Sequence, residues 1–350
     1  MKALLAAALI LGSISPAFSA TRISPVCSRQ SAPLGLPTGS PPARKLVEAN
    51  AYTPVARAAL KLAYAIETGQ PDPYIGVTGN FDGTGLSLGI IQFNFLGSIQ
   101  SAFGKIDKAK FNEKMPVWGE QFYAAVHTAS PSAAVEKVLP MQDARYSQRT
   151  HKTTWVIKPD ALRELRAFLA SDEARTAQDN AASRVYQRGY SRALQWAQER
   201  GDTKPTAREI ASFVDNEVFS GGALGGIWIK QAKSFRSNFD NDGEMIAFVS
   251  AWLKSCPYKG EGFLYGEIDS ANAVAAWAAK YPPGAKLDDD KALLFAFGFL
   301  RALTANGPPT LKGQRDQHGI FKAQVVARRS LPALGVGTAN GVSWPGGVLD

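Results

Sequence analysis

Two carboxyls in contrasting settings stand out. Glu67 closes an apolar-periodic segment and is followed by Thr68-Gly69, a helix stop. At a helix C-terminus the dipole presents partial negative charge, which disfavours an ionised carboxyl and favours a stored proton at Glu67. Asp82 lies in Asn80-Phe81-Asp82-Gly83-Thr84-Gly85, where glycines dictate a tight, exposed turn. Asn80, Thr84 and the turn amides surround it, a setting that keeps an anion. One carboxyl biased towards its acid form and another held as a base suit hydrolysis of a glycosidic bond.

The elements that must position them are legible. Thr53-Pro54 reads as an N-cap with proline at the first helical position. Val55, Ala59, Leu62 and Ile66 recur on one face, predicting a helix that ends near Glu67. The stretch QPDPYIGVTGNFDGTGLSLGIIQFN is crowded with Gly, Pro, Asn and Asp and ends in an alternating run. It predicts a small β-hairpin or ribbon near residues 74–94. Gln92 and Asn94 alternate with apolar neighbours and are expected to bind sugar hydroxyls or acetamido groups. Thr84 joins them as a substrate contact. Tyr74, Phe81 and Phe93 are candidates to stack on sugar rings.

Beyond Gly97 helical patterns dominate. They predict one or two helices over 159–200, then others at 205–220, 242–255, 269–280, 288–305 and 315–330. Asp215-Asn216 falls on the 205–220 helix. It offers a sugar hydrogen bond or a second base, and bracing of nearby backbone is its alternative role.

These strings also carry a resemblance. Glu67-Thr68-Gly69 followed by a Gly-rich segment ending LSLGIIQFN resembles the catalytic start of the lysozyme-like superfamily of glycoside hydrolases. Asp82, between Tyr74 and Gly89, makes the chain most similar to the chitosanase-type branch. It also resembles chitosanase-like peptidoglycan hydrolases, in which a GNFDGxGLSxGxxQ-like string recurs. The likeness is densest over 60–95, with support from FVDNEVFSGG (213–222) and VARRSLPALGVGTANG (326–341). It implies a mainly α (α+β) lysozyme-like fold with helical lobes and one small β element. It also implies Glu67 as general acid and Asp82 as the base that activates water. The outcome would be inversion, with the carboxyls about 6.5–9.5 Å apart. A histidine expected near the end of VGTANG is absent, leaving Asn340 there. Tyr74, Thr84, Gln92, Asn94, Asp215 and Asn216 would contact substrate, and no cofactor or metal is implied.

Other motifs weigh less. Gly85-Leu86-Ser87-Leu88-Gly89 matches the G-x-S-x-G nucleophile elbow, which needs a buried strand before it and a helix after it. NFDGT precedes it and strand-like sequence follows, while His127, His151 and His318 are the only histidines. Asp240-Asn241-Asp242-Gly243-Glu244 suggests a calcium loop, but Val249 stands where the bidentate Glu belongs. Asp288-Asp289-Asp290 reads as a helix start, and Arg328-Arg329 as a solvent-facing basic pair.

Length and charge bound the rest. The chain has 350 residues, 45% hydrophobic and 20% charged, with formal net charge +9. Such a composition excludes long disorder and allows one sizeable core. MKALLAAALILGSISPAFSA has the layout of a secretory signal peptide over residues 1–20. Residues 21–45 follow as an extended arm, 46–335 as the catalytic domain and 336–350 as a Gly-rich tail. Cys27 and Cys256 pair or remain separate thiols. No transmembrane segment is expected, and the chain is expected to be secreted or periplasmic. The positive charge suits an anionic polymer, favouring peptidoglycan over polycationic chitosan. No nucleic acid is expected, for want of a recognition motif. The expected function is therefore a glycosidase acting on a β-1,4-linked amino-sugar polymer. The alternative is a non-catalytic cell-wall binding or virulence protein with the same fold.

Overall fold

The computed structural model describes residues 53–80, 83–95, 97–147, 152–220, 227–256, 264–305 and 320–345, with Cys27, Gly222 and Leu224. Helix α1 (Pro54–Thr68) forms where periodicity placed it. Thr53 Oγ1 accepts from Ala56 N at 3.1 Å, and Gly69, at φ 63°, closes the helix by donating to Ala65 O. Strands β1 (Val77–Thr78), β2 (Ser87–Leu88) and β3 (Phe93–Asn94) then make an antiparallel sheet, with Thr78 opposite Ser87 and Leu88 opposite Phe93. Short helices follow: α2 (Ile99–Phe103), α3 (Lys108–Lys114), α4 (Gly119–Val126) and α5 (Pro131–Val138). Strands β4 (Gln142–Ser147) and β5 (Lys152–Ile157) pair as a two-stranded antiparallel ribbon.

The 159–200 segment resolves into α6 (Pro159–Leu169) and α7 (Asp172–Arg200), where Ser171 caps the second helix by accepting from Ala174 N. The remaining helices are α8 (Ala207–Ser220), α9 (Ile229–Arg236), α10 (Asp242–Lys254), α11 (Leu264–Lys280), α12 (Asp289–Leu303) and α13 (Ile320–Leu334). A last hairpin pairs β6 (Thr338–Ala339) with β7 (Val342–Ser343).

The molecule is thus mainly helical with small antiparallel sheets, as expected. The expectation of a single β element near 74–94 is incomplete, because β4–β5 and β6–β7 add two more. In β4, the exposed run Asp143 to Tyr146 buries no alternating face, so it left no pattern to read. The β6–β7 strands are two residues long and lie in the stretch expected to be a tail.

Two aromatic clusters stand within one hydrophobic core. Phe111, Phe122 and Phe168 pack mutually on one side, with Phe93, Phe95 and Phe103 joining them. Trp196, Phe213, Trp228 and Phe297 form the other centre. Helix α8 lies between neighbours on every side, contacting α1, α7, α12 and α13. It is buried all round, yet carries Glu209, Asp215, Asn216 and Glu217 inside. Interior charges of this kind must be paired, and each carboxylate has an arginine.

Cys27 and Cys256 form a disulfide, tying position 27 to the residues just past the end of α10. Closing a loop of this length restrains the unfolded chain by up to about 5 kcal/mol in the chain-entropy model. Among the described residues no helix is long and apolar enough to cross a membrane.

Candidate active site

Glu67 sits in the last turn of α1, and its partner comes from the far end of the chain. Arg328, on α13, donates from Nη2 to Glu67 Oε2 at 2.5 Å. The same guanidinium holds Asp215 Oδ1 on α8, through Nε at 2.8 Å and Nη2 at 2.5 Å. Side-chain exposure falls along the chain of charges, from 15% at Glu67 to 5% at Arg328 and 1% at Asp215. Phe219 covers the guanidinium, 4.3 Å from its ring centre. Burial alone would lower the Arg328 pKa, but the Asp215 and Glu67 carboxylates outweigh it and raise it above the usual arginine range. The neighbouring Arg329 has the opposite balance: burial pushes it down to about 9. The expected solvent-facing basic pair is therefore an interior pair. A cation that bridges a buried and a partly buried carboxylate has no local sequence signature.

Glu67 Oε2 is thus fixed, whereas Oε1 has no hydrogen bond among the described residues. The backbone beneath it is fixed too. Asn340 donates from Nδ2 to Ile66 O at 2.8 Å, occupying a carbonyl that the helix end leaves open. Asn340 takes a left-handed φ of 50° in the turn between β6 and β7. Buried Asp269 sets that turn, accepting from Asn340 N and from Thr338 Oγ1, both at 2.7 Å. Asn340, whose role the missing histidine left open, is a brace for the Glu67 turn. Asn340→Gly should keep the left-handed turn while deleting the amide. We expect about 1 kcal/mol lower stability and, if the carboxyl is catalytic, a several-fold lower kcat at similar KM. Steady-state kinetics check this; unchanged turnover would show that the brace is immaterial.

The β1–β3 sheet seats directly against the same helix end. A Cβ at Gly76 would stand 2.8 Å from Thr68 Cγ2 and 3.2 Å from Gln92 Nε2, so only glycine permits the approach. Asp82 and Phe81 lie outside the described residues, but both flanks of their loop are fixed. Asn80 Oδ1 accepts from Gly85 N at 3.0 Å, closing the loop across its base. Buried Gln142 braces both sides, accepting from Asn80 N at 2.7 Å and donating to Gly85 O at 3.1 Å. Buried Gln178 on α7 accepts from Ile90 N at 3.0 Å and holds the sheet from behind.

The other expected contacts are placed as follows. Gln92 is in a turn, at φ 53°, and not on a strand. Its amide is engaged inside the sheet, accepting from Thr78 Oγ1 and donating to Gly89 O. Thr84 is buried, and Asn94 is half-buried in β3. Tyr74 donates to Asp179 Oδ1 at 2.7 Å, with Arg175 stacked 4.7 Å from its ring centre. Burial and the Asp179 bond push its phenol up. Phe93 is a core residue and offers no sugar-stacking face. Asp215 belongs to the Arg328 bridge, and Asn216 is fully buried beside it. Asp215 thus braces Arg328, whereas the Asn216 side-chain amide has no hydrogen-bond partner among the described residues.

The competing chemistry fares less well. Ser87 is a buried strand residue in β2, not an elbow leading into a helix. His127 is bonded to Tyr123 O and Gly104 O, and His151 and His318 lie outside the described residues. Asn241 caps α10, and Asp242 is paired with Arg236. Among the described residues no cluster of His, Cys, Asp and Glu could hold a metal. No protein-family model and no curated protein matches this chain. Function therefore rests on the chemistry of the site.

Proposed function

We propose that the chain is a glycosidase that hydrolyses a β-1,4-linked amino-sugar polymer, with peptidoglycan preferred to chitosan. The observation that carries this reading is the half-tethered carboxyl of Glu67. One oxygen is fixed by a buried cation, the other has no hydrogen bond among the described residues, and Gly76, just before β1, packs against the same helix end. In the proposed cycle Glu67 Oε1 protonates the leaving oxygen while Asp82 takes a proton from the attacking water. Arg328 then stabilises the carboxylate that the transfer leaves behind. Asp215 shares the same guanidinium with Glu67. Attack from the face opposite the leaving group inverts the anomeric centre.

The disulfide and the signal-like N-terminus support action outside the cytoplasm, secreted or in a periplasm. The excess of cations supports an anionic polymer. Gels cast with peptidoglycan or with chitosan test the assignment. Clearing of the peptidoglycan gel is expected. Clearing of chitosan alone overturns the choice of polymer. No clearing of either, with the protein still retained by cell walls, makes it a binding protein.

A further inference from the structure

Helix α7 carries three arginines that take no part in the bridge at Glu67. Arg184, Arg188 and Arg192 recur every four residues and so share one face, along about 12 Å of helix. From Asn180 to Gln198 the sequence contains no Asp or Glu. The acid that meets this face comes from α8. Glu217, whose side chain is 0% exposed, has Arg188 Nε 2.8 Å from Oε2 and Arg192 Nε 2.8 Å from Oε1. Arg192 Nη1 also donates to Gly222 O at 2.7 Å. Gly222 closes on the carboxylate so tightly that a Cβ there would stand 2.5 Å from Glu217 Oε1. Glu217 lies two positions after Asp215, so the two leave α8 on opposite sides, and this face is separate from the Arg328 bridge.

One cation neutralises a buried carboxylate, and Glu217 has two. It takes both by their Nε edges, so the Nη groups of Arg188 bond to nothing among the described residues, on a side chain that is 43% exposed. Arg184, one turn away, is exposed and makes no ion pair among the described residues. Three guanidiniums against one carboxylate leave two net positive charges on the face. A guanidinium fork matches phosphate oxygens, and several forks side by side suit a tetrahedral anion better than a planar carboxylate. The aromatics of α7, Tyr186, Tyr190 and Trp196, are buried or half-buried, so the face lacks a platform for stacked bases. We propose that Arg184, Arg188 and Arg192 form a binding face for the phosphate groups of a phosphodiester-linked polyol on the cell envelope. Glu217 orients two of the three. The disulfide and the signal-like N-terminus favour a partner outside the cytoplasm. The face stands whatever polymer Glu67 acts on.

The test uses the full chain and two variants. Arg184→Glu/Arg188→Gln removes two of the three cations while Arg192 still pairs with Glu217. Arg184→Glu alone changes an exposed residue and serves should the double variant melt early. Binding to poly(glycerol phosphate) is measured across a salt series, beside a single-stranded oligonucleotide and vesicles of phosphatidylglycerol with phosphatidylcholine. Wild type is expected to bind poly(glycerol phosphate) with an affinity that falls steeply as salt rises. The double variant should bind about ten-fold more weakly and the single variant about three-fold, both with a shallower salt dependence. Equal binding by wild type and both variants, or no binding by wild type, overturns the face. Tighter binding to the oligonucleotide or the vesicles than to poly(glycerol phosphate), lost in the variants, overturns the polyol assignment and hands the face to that partner.

Discussion

Glu67→Gln is expected to lower turnover of the polymer by about 10³-fold or more while leaving the fold unchanged. The amide matches the carboxyl in shape but has no proton to transfer. Its oxygen can still accept from Arg328, and Arg328 keeps Asp215 as its counter-charge. Stability should therefore move little, so any loss of activity reports on chemistry. Lysis of sacculi, followed by turbidity, and a thermal melt are the paired measurements. An inactive variant with a normal melt is the expected result. Wild-type lysis by the variant would remove Glu67 from the mechanism. Asp82→Asn should behave alike, since the water then has no base.

Arg328→Ala carries the second large effect, and it falls on stability first. The guanidinium is the only cation bonded to Asp215 among the described residues, and Asp215 is sealed from water. Removing it strands a buried anion and frees Glu67, at an expected cost of about 3–5 kcal/mol. Urea denaturation should show the midpoint falling with little change in slope. Should the alanine variant fail to fold, Arg328→Lys gives a second measure. A single ammonium lacks the fork that reaches both carboxylates, so this variant should fold yet turn over slowly. If Arg328→Ala costs less than about 1 kcal/mol, the charge bridge is a surface-like pair and not an interior support.

Much of the frame was readable from local pattern. The α1 helix, its Thr53-Pro54 start and its Gly69 stop follow from capping chemistry and spacing acting within fifteen or so residues. The glycines around Asp82 announced a tight β element. What escaped was long-range. Arg328 lies 261 positions from Glu67 and Asp269 lies 71 from Asn340, and nothing local in either segment declares the meeting. Asp215-Asn216 reads as a sugar contact, a second base or a backbone brace, because nothing local declares that α8 is enclosed. The helix is surrounded, and its carboxylates Glu209, Asp215 and Glu217 meet arginines from other helices. Gln92 was misplaced because LSLGIIQF alternates like one strand, whereas the chain turns sharply at Gly89 and resumes at Phe93. Phe93 then packs inward with the Phe103 ring.

The most direct test of the acid role compares two substrates on Glu67→Gln. One is peptidoglycan, the proposed polymer, whose leaving sugar oxygen must be protonated. The other is a matching oligosaccharide with a dinitrophenyl leaving group, which departs without a proton. If Glu67 supplies that proton, the variant loses about 10³-fold on the polymer and less than about ten-fold on the activated substrate. Equal losses on both substrates, or none on either, would contradict it.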